Sequence, residues 1–311
     1  MHKNLYDLII IGGGPAGLTA AIYSARASIS TLVIEGSPHG GQLTITTDVE
    51  NFPGFKEGVM GPALIENMRE QAARFGAMLL EQNVVTVSGS FETGFKVETQ
   101  ANETYMAKTV LIASGASAKW LGLASETRLR GKGVSACATC DGFFFKNKVV
   151  AVVGAGDSAM EESTFLTKFA SKVYVIVRSS REAMRASKFM LEKATANPKI
   201  EFVYNAQVDE VLGADTVTGL KILNNLTNTT SLIPDVQGLF LAIGHKPNTD
   251  FLKGFLELDE LGYVKVTNNT QTSVKGVFVA GDVSDRRYRQ AVTASGFGCM
   301  AALDVEKFLA H

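Results

Sequence analysis

Residues 5–35 read LYDLIIIGGGPAGLTAAIYSARASISTLVIE, and this stretch decides the fold. Residues 5–11 form a short apolar run bounded by glycine, the pattern of a strand buried on both faces. Gly12-Gly13-Gly14-Pro15-Ala16-Gly17 follows and leads into an Ala-rich helical segment. Gly12, Gly14 and Gly17 fit G-x-G-x-x-G, in which glycines permit a tight turn and let backbone approach a pyrophosphate held at the helix N-terminus. Residues 31–34 read as a second buried strand ending at Glu35, an acid about 20 residues beyond the turn and suited to a ribose hydroxyl.

The same unit recurs downstream. Residues 148–153 (KVVAVV) read as a strand, Gly154-Ala155-Gly156-Asp157-Ser158-Ala159 as the turn, 160–170 as the helix and 173–177 (VYVIV) as the returning strand. The glycine turns begin at Gly12 and Gly154, far beyond a solenoid period of about 20–50 residues, so the repeat is a duplicated domain type. At the position equivalent to Glu35 stands Arg178, followed by Arg181, Arg185 and Lys188. A carboxylate there bonds a ribose 2′-hydroxyl and repels a 2′-phosphate, whereas cations do the reverse, so the second half favours NADP over NAD. Two sites with different ribose partners imply two dinucleotides. A flavin is the hydride acceptor that also needs a dinucleotide fold, which gives FAD on the acidic half and NADPH on the basic one.

Between the turns, 84–112 reads as a β-meander ending in TVLIASG, and GLFLAIG (238–244) closes the second unit. GVFVAGD (276–282) is a buried strand that presents Asp282 where a ribityl hydroxyl could be held, and a long final helix is expected near 290–309. No linker tract is present, so the domain boundaries fall in short connections near 116–120 and 245–250. The fold class is therefore α/β, with two Rossmann-like three-layer domains.

With 311 residues, 46% hydrophobic and 20% charged, the chain is globular and long enough for two domains. A net charge of −1 supplies no basic excess for nucleic acid or an anionic membrane, and no apolar run reaches the about 20 residues of a span. Three cysteines, two of them close together in Cys137-Ala138-Thr139-Cys140, argue against a secreted disulfide framework and for a cytosolic redox element. C-x-x-C spacing allows a reversible disulfide and lowers a thiol pKa, and Asp141 follows as a candidate proton donor or acceptor. Structural zinc would need two more ligands, which Cys299 and the dispersed His2, His39, His245 and His311 do not provide, so no metal is expected. Cys299 reads as an inert core thiol and Trp120 as a packing residue. Phe143-Phe144-Phe145 reads either as a docking patch or, for part of it, as core.

GGGPAGLTAAIYSAR, GGQLTITTDVENFPG, CATCDG, VVGAGDSAMEES and GDVSDRRYRQAVTASGFGCMAALD occur here in that order. Over essentially its whole length the chain resembles the low-molecular-weight thioredoxin reductases. The resemblance implies a discontinuous FAD domain, 1–116 and 249–311, around an inserted NADPH domain, 117–248, in a homodimer that works in the cytoplasm. It implies flavin contacts from Gly12, Gly14, Pro15, Ala16, Glu35, Gly41, Gln42, Asn51, Val84, Asp282, Arg289, Gln290 and Ala291. For NADPH it implies Gly154, Gly156, Asp157, Ser158, Arg178, Arg181, Arg185 and Gly244. Cys140 corresponds to the cysteine nearer the flavin, Cys137 to the one that attacks thioredoxin, and Asp141 to the family's acid.

One departure concerns the coenzyme. The family's His-Arg-Arg-x-x-x-Arg signature is here Ser179-Ser180-Arg181-Glu182-Ala183-Met184-Arg185, which keeps two cations and loses two. Each missing charge-assisted phosphate contact removes ~1.5–3 kcal/mol of preference. NADPH stays favoured and NADH becomes admissible. The implied activity carries electrons from NADPH through FAD and the Cys137–Cys140 disulfide to oxidised thioredoxin, with a domain rotation between half-reactions. The alternatives within this fold are a FAD-dependent dithiol oxidase, against which the basic 2′-phosphate position speaks, and a ferredoxin-linked flavin disulfide reductase, against which the intact second glycine turn speaks.

Overall fold

The computed structural model describes residues 5–46 and 48–310. His2 and His311, and Thr47 within the GGQLTITTDVENFPG stretch, lie outside them. The chain divides into two compact units, one formed by residues up to Ser117 together with those from Lys246, the other by Ala118–His245. Each is Rossmann-like.

In the first unit the strand Leu5–Ile11 lies centrally, parallel to Thr31–Ile34 on one side and Thr104–Ile112 on the other. Its side chains alternate between two cores. Ile9 and Ile11 join Val110, Ile112, Val277 and Val279 on one face. Leu8 and Ile10 join Val33, Ala20, Ala21 and Ala301 on the other. Burial on both faces explains the apolar run at 8–11. Met78–Leu80 extends the sheet beyond Thr31–Ile34. The meander is formed by Val84–Ser90, Gly94–Thr99 and Thr104–Ile112, paired antiparallel. On the edge away from Leu5–Ile11, the strand Thr104–Ile112 serves two partners: its first half pairs with Gly94–Thr99, and its second half pairs in parallel with Val277–Val279.

Helices Pro15–Arg26 and Ala291–Leu309 pack against each other over the second face through small residues. The approach is close because side chains are missing where backbones meet. A Cβ on Gly298 would lie 2.1 Å from the Ala16 carbonyl oxygen, and one on Gly17 would lie 1.9 Å from that of Gly12. The final helix is thereby seated against the glycine turn itself.

The second unit holds a five-stranded parallel sheet in the order Val134–Ser135, Val236–Leu241, Val149–Val153, Lys172–Ile176, Ile200–Val203. Helices Asp157–Leu166 and Lys188–Thr195 cover one face. A three-stranded antiparallel sheet, Ala206–Leu212, Gly219–Asn224 and Thr230–Pro234, covers the other. The sequence reading starts the first of these helices at 160; it begins at Asp157 because Gly156, extended at φ −109°, is its N-cap. Within the first unit Asn248 fastens the start of one chain crossing, its N–H donating to the Gly115 carbonyl at 3.0 Å and its Nδ2 to that of Ser114 at 2.8 Å. Within the second, Lys119 N–H donates to the Gly244 carbonyl at 3.0 Å.

Gly298→Ala should push the final helix off the Ala16 carbonyl, at a cost of about 2–3 kcal/mol. A lower Tm in differential scanning calorimetry, with the same far-ultraviolet circular dichroism at 20 °C as an unaltered fold marker, is the expected result.

Candidate active site: two glycine turns and a redox disulfide

The first turn is shaped to receive a phosphate. Gly12 has φ +122°, and a Cβ there would lie 2.2 Å from the Ala113 carbonyl oxygen, so only glycine fits. Above Gly14 the space is open: a Cβ added there would meet no atom within 4 Å. Gly14 is also the N-cap of the helix that starts at Pro15, and no side chain caps that helix, which leaves its first-turn N–H groups to a ligand. These features fit a dinucleotide pyrophosphate.

Several predicted flavin residues from distant segments converge on this turn. Gly281, φ +80°, passes so close to Ala16 that a Cβ would sit 2.9 Å from the Ala16 Cβ, and this brings Asp282 to the turn. Asn51 Nδ2 donates to Gln290 Oε1 at 3.2 Å, although 239 residues separate them. Gln290 is the N-cap of the helix beginning at Ala291, and Arg289, held at φ +49°, turns the chain into it. Gly41 and Gln42 open the exposed 3₁₀ turn Gly41–Ile45, and Val84 opens the strand Val84–Ser90. Among the described residues no hydrogen bond or ion pair links these three to the others.

Asp282 is the electrostatically tuned member. Burial, reinforced by the nearby Asp285 carboxylate and only partly offset by Arg289, pushes its pKa from 3.8 up to about 7. It can therefore donate to or accept from a sugar hydroxyl near neutral pH. Glu35 has a partner that the sequence did not foretell. Its fully buried carboxylate is gripped on both oxygens by Arg69, Nε to Oε1 at 2.8 Å and Nη2 to Oε2 at 3.1 Å, while Arg69 Nη1 also reaches Glu66 at 2.8 Å. The bidentate fork fixes the carboxylate's plane at the end of the strand.

The second turn repeats the first. Gly154 would carry a Cβ 2.6 Å from the Ala242 carbonyl oxygen, whereas Gly156 is open and caps a helix that no side chain caps. Asp157 does not face a phosphate freely: its Oδ1 accepts from Ser187 N at 2.6 Å. Ser158 is exposed beside it. The N–H groups of Arg185 and Ala186 both donate to the Ala155 carbonyl, at 2.9 and 3.1 Å. These bonds fold the arginine-bearing loop back onto the turn. Arg178, Arg181 and Arg185 are exposed. Glu182 lies in the same loop, its carboxyl held below the usual range by a Ser180 hydrogen bond and by the Arg181 charge. Gly244, φ +94°, is open. The residues present fit a pyridine nucleotide.

Cys137 and Cys140 form a disulfide, with Cα atoms 5.3 Å apart. Cys137 is the N-cap of the short helix Ala138–Asp141, and its Sγ accepts from Cys140 N at 3.2 Å. A helix start and a donated N–H both favour a thiolate at Cys137 after reduction. Cys137 is half-buried and Cys140 exposed. Burial raises the Asp141 carboxyl above its ordinary value, and a Ser135 hydrogen bond partly offsets this. Ser135, which the sequence reading missed, also accepts from Cys137 N at 3.0 Å and so joins the disulfide to the acid. The only sequence signal for it was its place two residues before the first cysteine.

The aromatic run next to the disulfide is divided. Phe145 is core, 5.1 Å from Phe240, while Phe143 is 59% and Phe144 38% exposed. Trp120 packs under the Arg130 guanidinium, 3.9 Å from the ring centroid, within the second unit. Cys299 differs from expectation: it is half-buried, and its thiol lies near enough to the Tyr23 phenol to raise that group's pKa.

Residues 6–298 match the pyridine nucleotide-disulphide oxidoreductase family model. The chain is 53% identical over 310 residues to a thioredoxin reductase of Streptomyces coelicolor, covering 99% of this chain and 95% of that one. The chain belongs to the pyridine nucleotide-disulphide oxidoreductases, among their thioredoxin reductases. It is also 49% identical to a bifunctional thioredoxin reductase/thioredoxin of Mycobacterium leprae, covering 100% of this chain and 67% of that one. Among solved structures it resembles the thioredoxin reductase from Giardia duodenalis, with TM-score 0.93 and 44% identity over 99% of this chain and 100% of that one. Membership implies a disulfide-linked oxidoreductase that uses a flavin and a pyridine nucleotide. Among the described residues no helix is long and apolar enough to cross a membrane.

The raised Asp282 pKa sets a pH dependence. Between about 4 and about 7 the native protein keeps a proton that the unfolded chain, titrating near 3.8, has lost. Stability of the flavin-free protein should therefore fall as pH rises through that window and then level off. Urea unfolding at stepped pH checks this, and Asp282→Asn should remove that part of the slope.

Proposed function

We propose that this chain is an NADPH-dependent thioredoxin-disulfide reductase, with FAD at the first glycine turn and NADPH at the second. The observation that carries the reading is the Cys137–Cys140 disulfide, set at a helix start beside a half-buried acid, in the unit whose glycine turn is tied to an arginine-bearing loop. Gly12, Gly14, Pro15, Ala16, Glu35, Gly41, Gln42, Asn51, Val84, Asp282, Arg289, Gln290 and Ala291 would hold the flavin. Gly154, Gly156, Asp157, Ser158, Arg178, Arg181, Arg185 and Gly244 would hold the coenzyme.

When bound, the flavin supplies the conversion of a nicotinamide hydride into the electron pair that a disulfide accepts. Reduction of Cys137–Cys140 by that pair, with two protons, breaks the S–S bond and leaves two thiols. Asp141, which retains a proton more readily than an ordinary aspartate, takes up and returns the proton of the thiol that must ionise. Cys137 as thiolate attacks the thioredoxin disulfide, forming a mixed disulfide and releasing one thioredoxin thiolate. Cys140 then attacks Cys137 Sγ, which expels the second thioredoxin thiolate and restores the intramolecular bond. The net change is two thiols oxidised and one partner disulfide reduced.

Phe143 and Phe144 offer an apolar surface next to the disulfide, with Phe169 edge-on to Phe143 at 6.2 Å, and we assign thioredoxin docking to it. The disulfide must serve the flavin and thioredoxin in turn, so we assign a rotation between half-reactions to the two chain crossings, where Gly115 (φ +69°) and Gly244 (φ +94°) have open surroundings. The family resemblance supports a cytoplasmic homodimer, which sedimentation would read as twice the 33.2 kDa chain mass.

Stopped-flow spectroscopy and turnover test the assignment together. Cys140→Ser should still bleach the flavin band on NADPH addition and should show no thioredoxin turnover; loss of flavin reduction as well would overturn the role given to Cys140. NADPH oxidation by the intact enzyme without thioredoxin, at the rate seen with it, would favour an oxidase.

Phe143→Ala should raise KM for thioredoxin about tenfold, the loss of ~1.4 kcal/mol of contact, with the rate of flavin reduction unchanged.

A further inference from the structure

Tyr204 has no part in the chemistry assigned so far, and its position singles it out. It follows the strand Ile200–Val203, which lies in parallel register with Lys172–Ile176 so that Ile176 stands opposite Val203. The two chain segments stay paired beyond the strand ends. Val177 N donates to Val203 O at 2.9 Å, Ala206 N to Val177 O at 3.0 Å, and Asn205 N to Ser179 O at 3.0 Å. Tyr204 therefore sits at the C-terminal edge of the parallel sheet, where open α/β sheets bind their ligands, level with the residues that follow the ribose-reading strand.

The ring is fixed. It stacks on Phe202 with centroids 5.5 Å apart and planes 5° from parallel, and both rings pack on the face that also holds Met184 and Ala186 of the arginine loop. Its hydroxyl has no hydrogen-bond partner among the described residues. The charges that bear on it are Arg181 and Glu182, and burial raises its pKa further above the ordinary tyrosine value, so at neutral pH the phenol is a donor. The neighbouring loop is also held rigid, because Asn225 N donates to Asn205 O at 2.7 Å and Asn225 Nδ2 to Arg178 O at 2.8 Å.

This corner has two fewer cationic donors than the family's signature would give it. Ser179 and Ser180 are neutral, and Ser180 is engaged by the Glu182 carboxylate, an anion in a loop that must attract one. A fixed phenol beside Arg181 gives a donor of defined direction, and a bond to an anionic phosphate is about twice as strong as one to a sugar hydroxyl. We propose that Tyr204 is a specificity-determining residue of the pyridine nucleotide site, its phenol donating to the ribose 2′-phosphate beside Arg181 where Ser179 and Ser180 bring no charge. The proposal rests on the NADPH reading above.

Calorimetric titration of the flavin-loaded enzyme with adenosine 2′,5′-bisphosphate and with adenosine 5′-monophosphate tests it without turnover. Tyr204→Phe keeps the stacked ring and removes only the hydroxyl. The expected result is a bisphosphate Kd about tenfold higher than in the unaltered enzyme, with the monophosphate Kd unchanged. An unchanged bisphosphate Kd, or equal weakening of both probes, overturns the role of Tyr204 while the NADPH reading stands. Equal binding of the two probes by the unaltered enzyme overturns the NADPH reading itself, and the proposal with it.

Discussion

The structure depends on backbone meeting backbone at the glycine turns. Gly17 lies over the Gly12 carbonyl, Gly298 over that of Ala16, and Gly154 over that of Ala242, at separations no side chain would allow. In each turn one glycine is closed in and another left open: Gly12 against Gly14, Gly154 against Gly156. The closed glycines fix the angle between strand and helix. The open ones leave uncapped helix starts exposed to a phosphate. One requirement, the absence of Cβ atoms, thus builds both the core contact and the anion cradle, and the rest of each unit is arranged around it.

On this shared scaffold the two units differ in charge. The first ends its second strand in a buried carboxylate whose geometry Arg69 fixes, and adds Asp282, which is near its midpoint at neutral pH. The second carries Arg178 just beyond the equivalent strand and ties Arg185 to the turn through the Ala155 carbonyl. Neutral or acidic groups suit sugar hydroxyls, whereas cations suit a phosphate. The difference in charge between the halves therefore lies in a few side chains at strand ends.

Legibility in the sequence followed from the range of the interactions. Both β-turn-α-β units, the meander at 84–112 and the final helix were readable because strict apolar runs and glycine spacing are local signals. The antiparallel sheet Ala206–Leu212, Gly219–Asn224 and Thr230–Pro234 was not, because its strands are half-exposed and their alternation is interrupted by polar residues and a register shift between Val208 and Glu210. The site divides in the same way. Cys137, Cys140, Asp141 and the glycines stood in contiguous motifs. Arg69 on Glu35, Ser135 between cysteine and acid, and Asn51 on Gln290 are contacts made by folding, and no spacing rule points to them.

The coenzyme loop shows what contiguous reading leaves out. Counted along the chain, Ser179 and Ser180 remove two cations and Glu182 adds an anion, which argues for weakened selection of a 2′-phosphate. The folded loop changes that count. Glu182 takes a hydrogen bond from Ser180, the Ala155 carbonyl draws Arg185 over the turn, and the pairing of Asn205 with Ser179 brings Tyr204 alongside. Selectivity at such a corner is set by how many donors are held in place when the ligand arrives, since ordering a loose cation costs part of what its charge contributes. Backbone bonds at Arg178, Ser179, Arg185 and Ala186 fasten this loop, so on the proposed NADPH reading less ordering is left for the ligand to bring about.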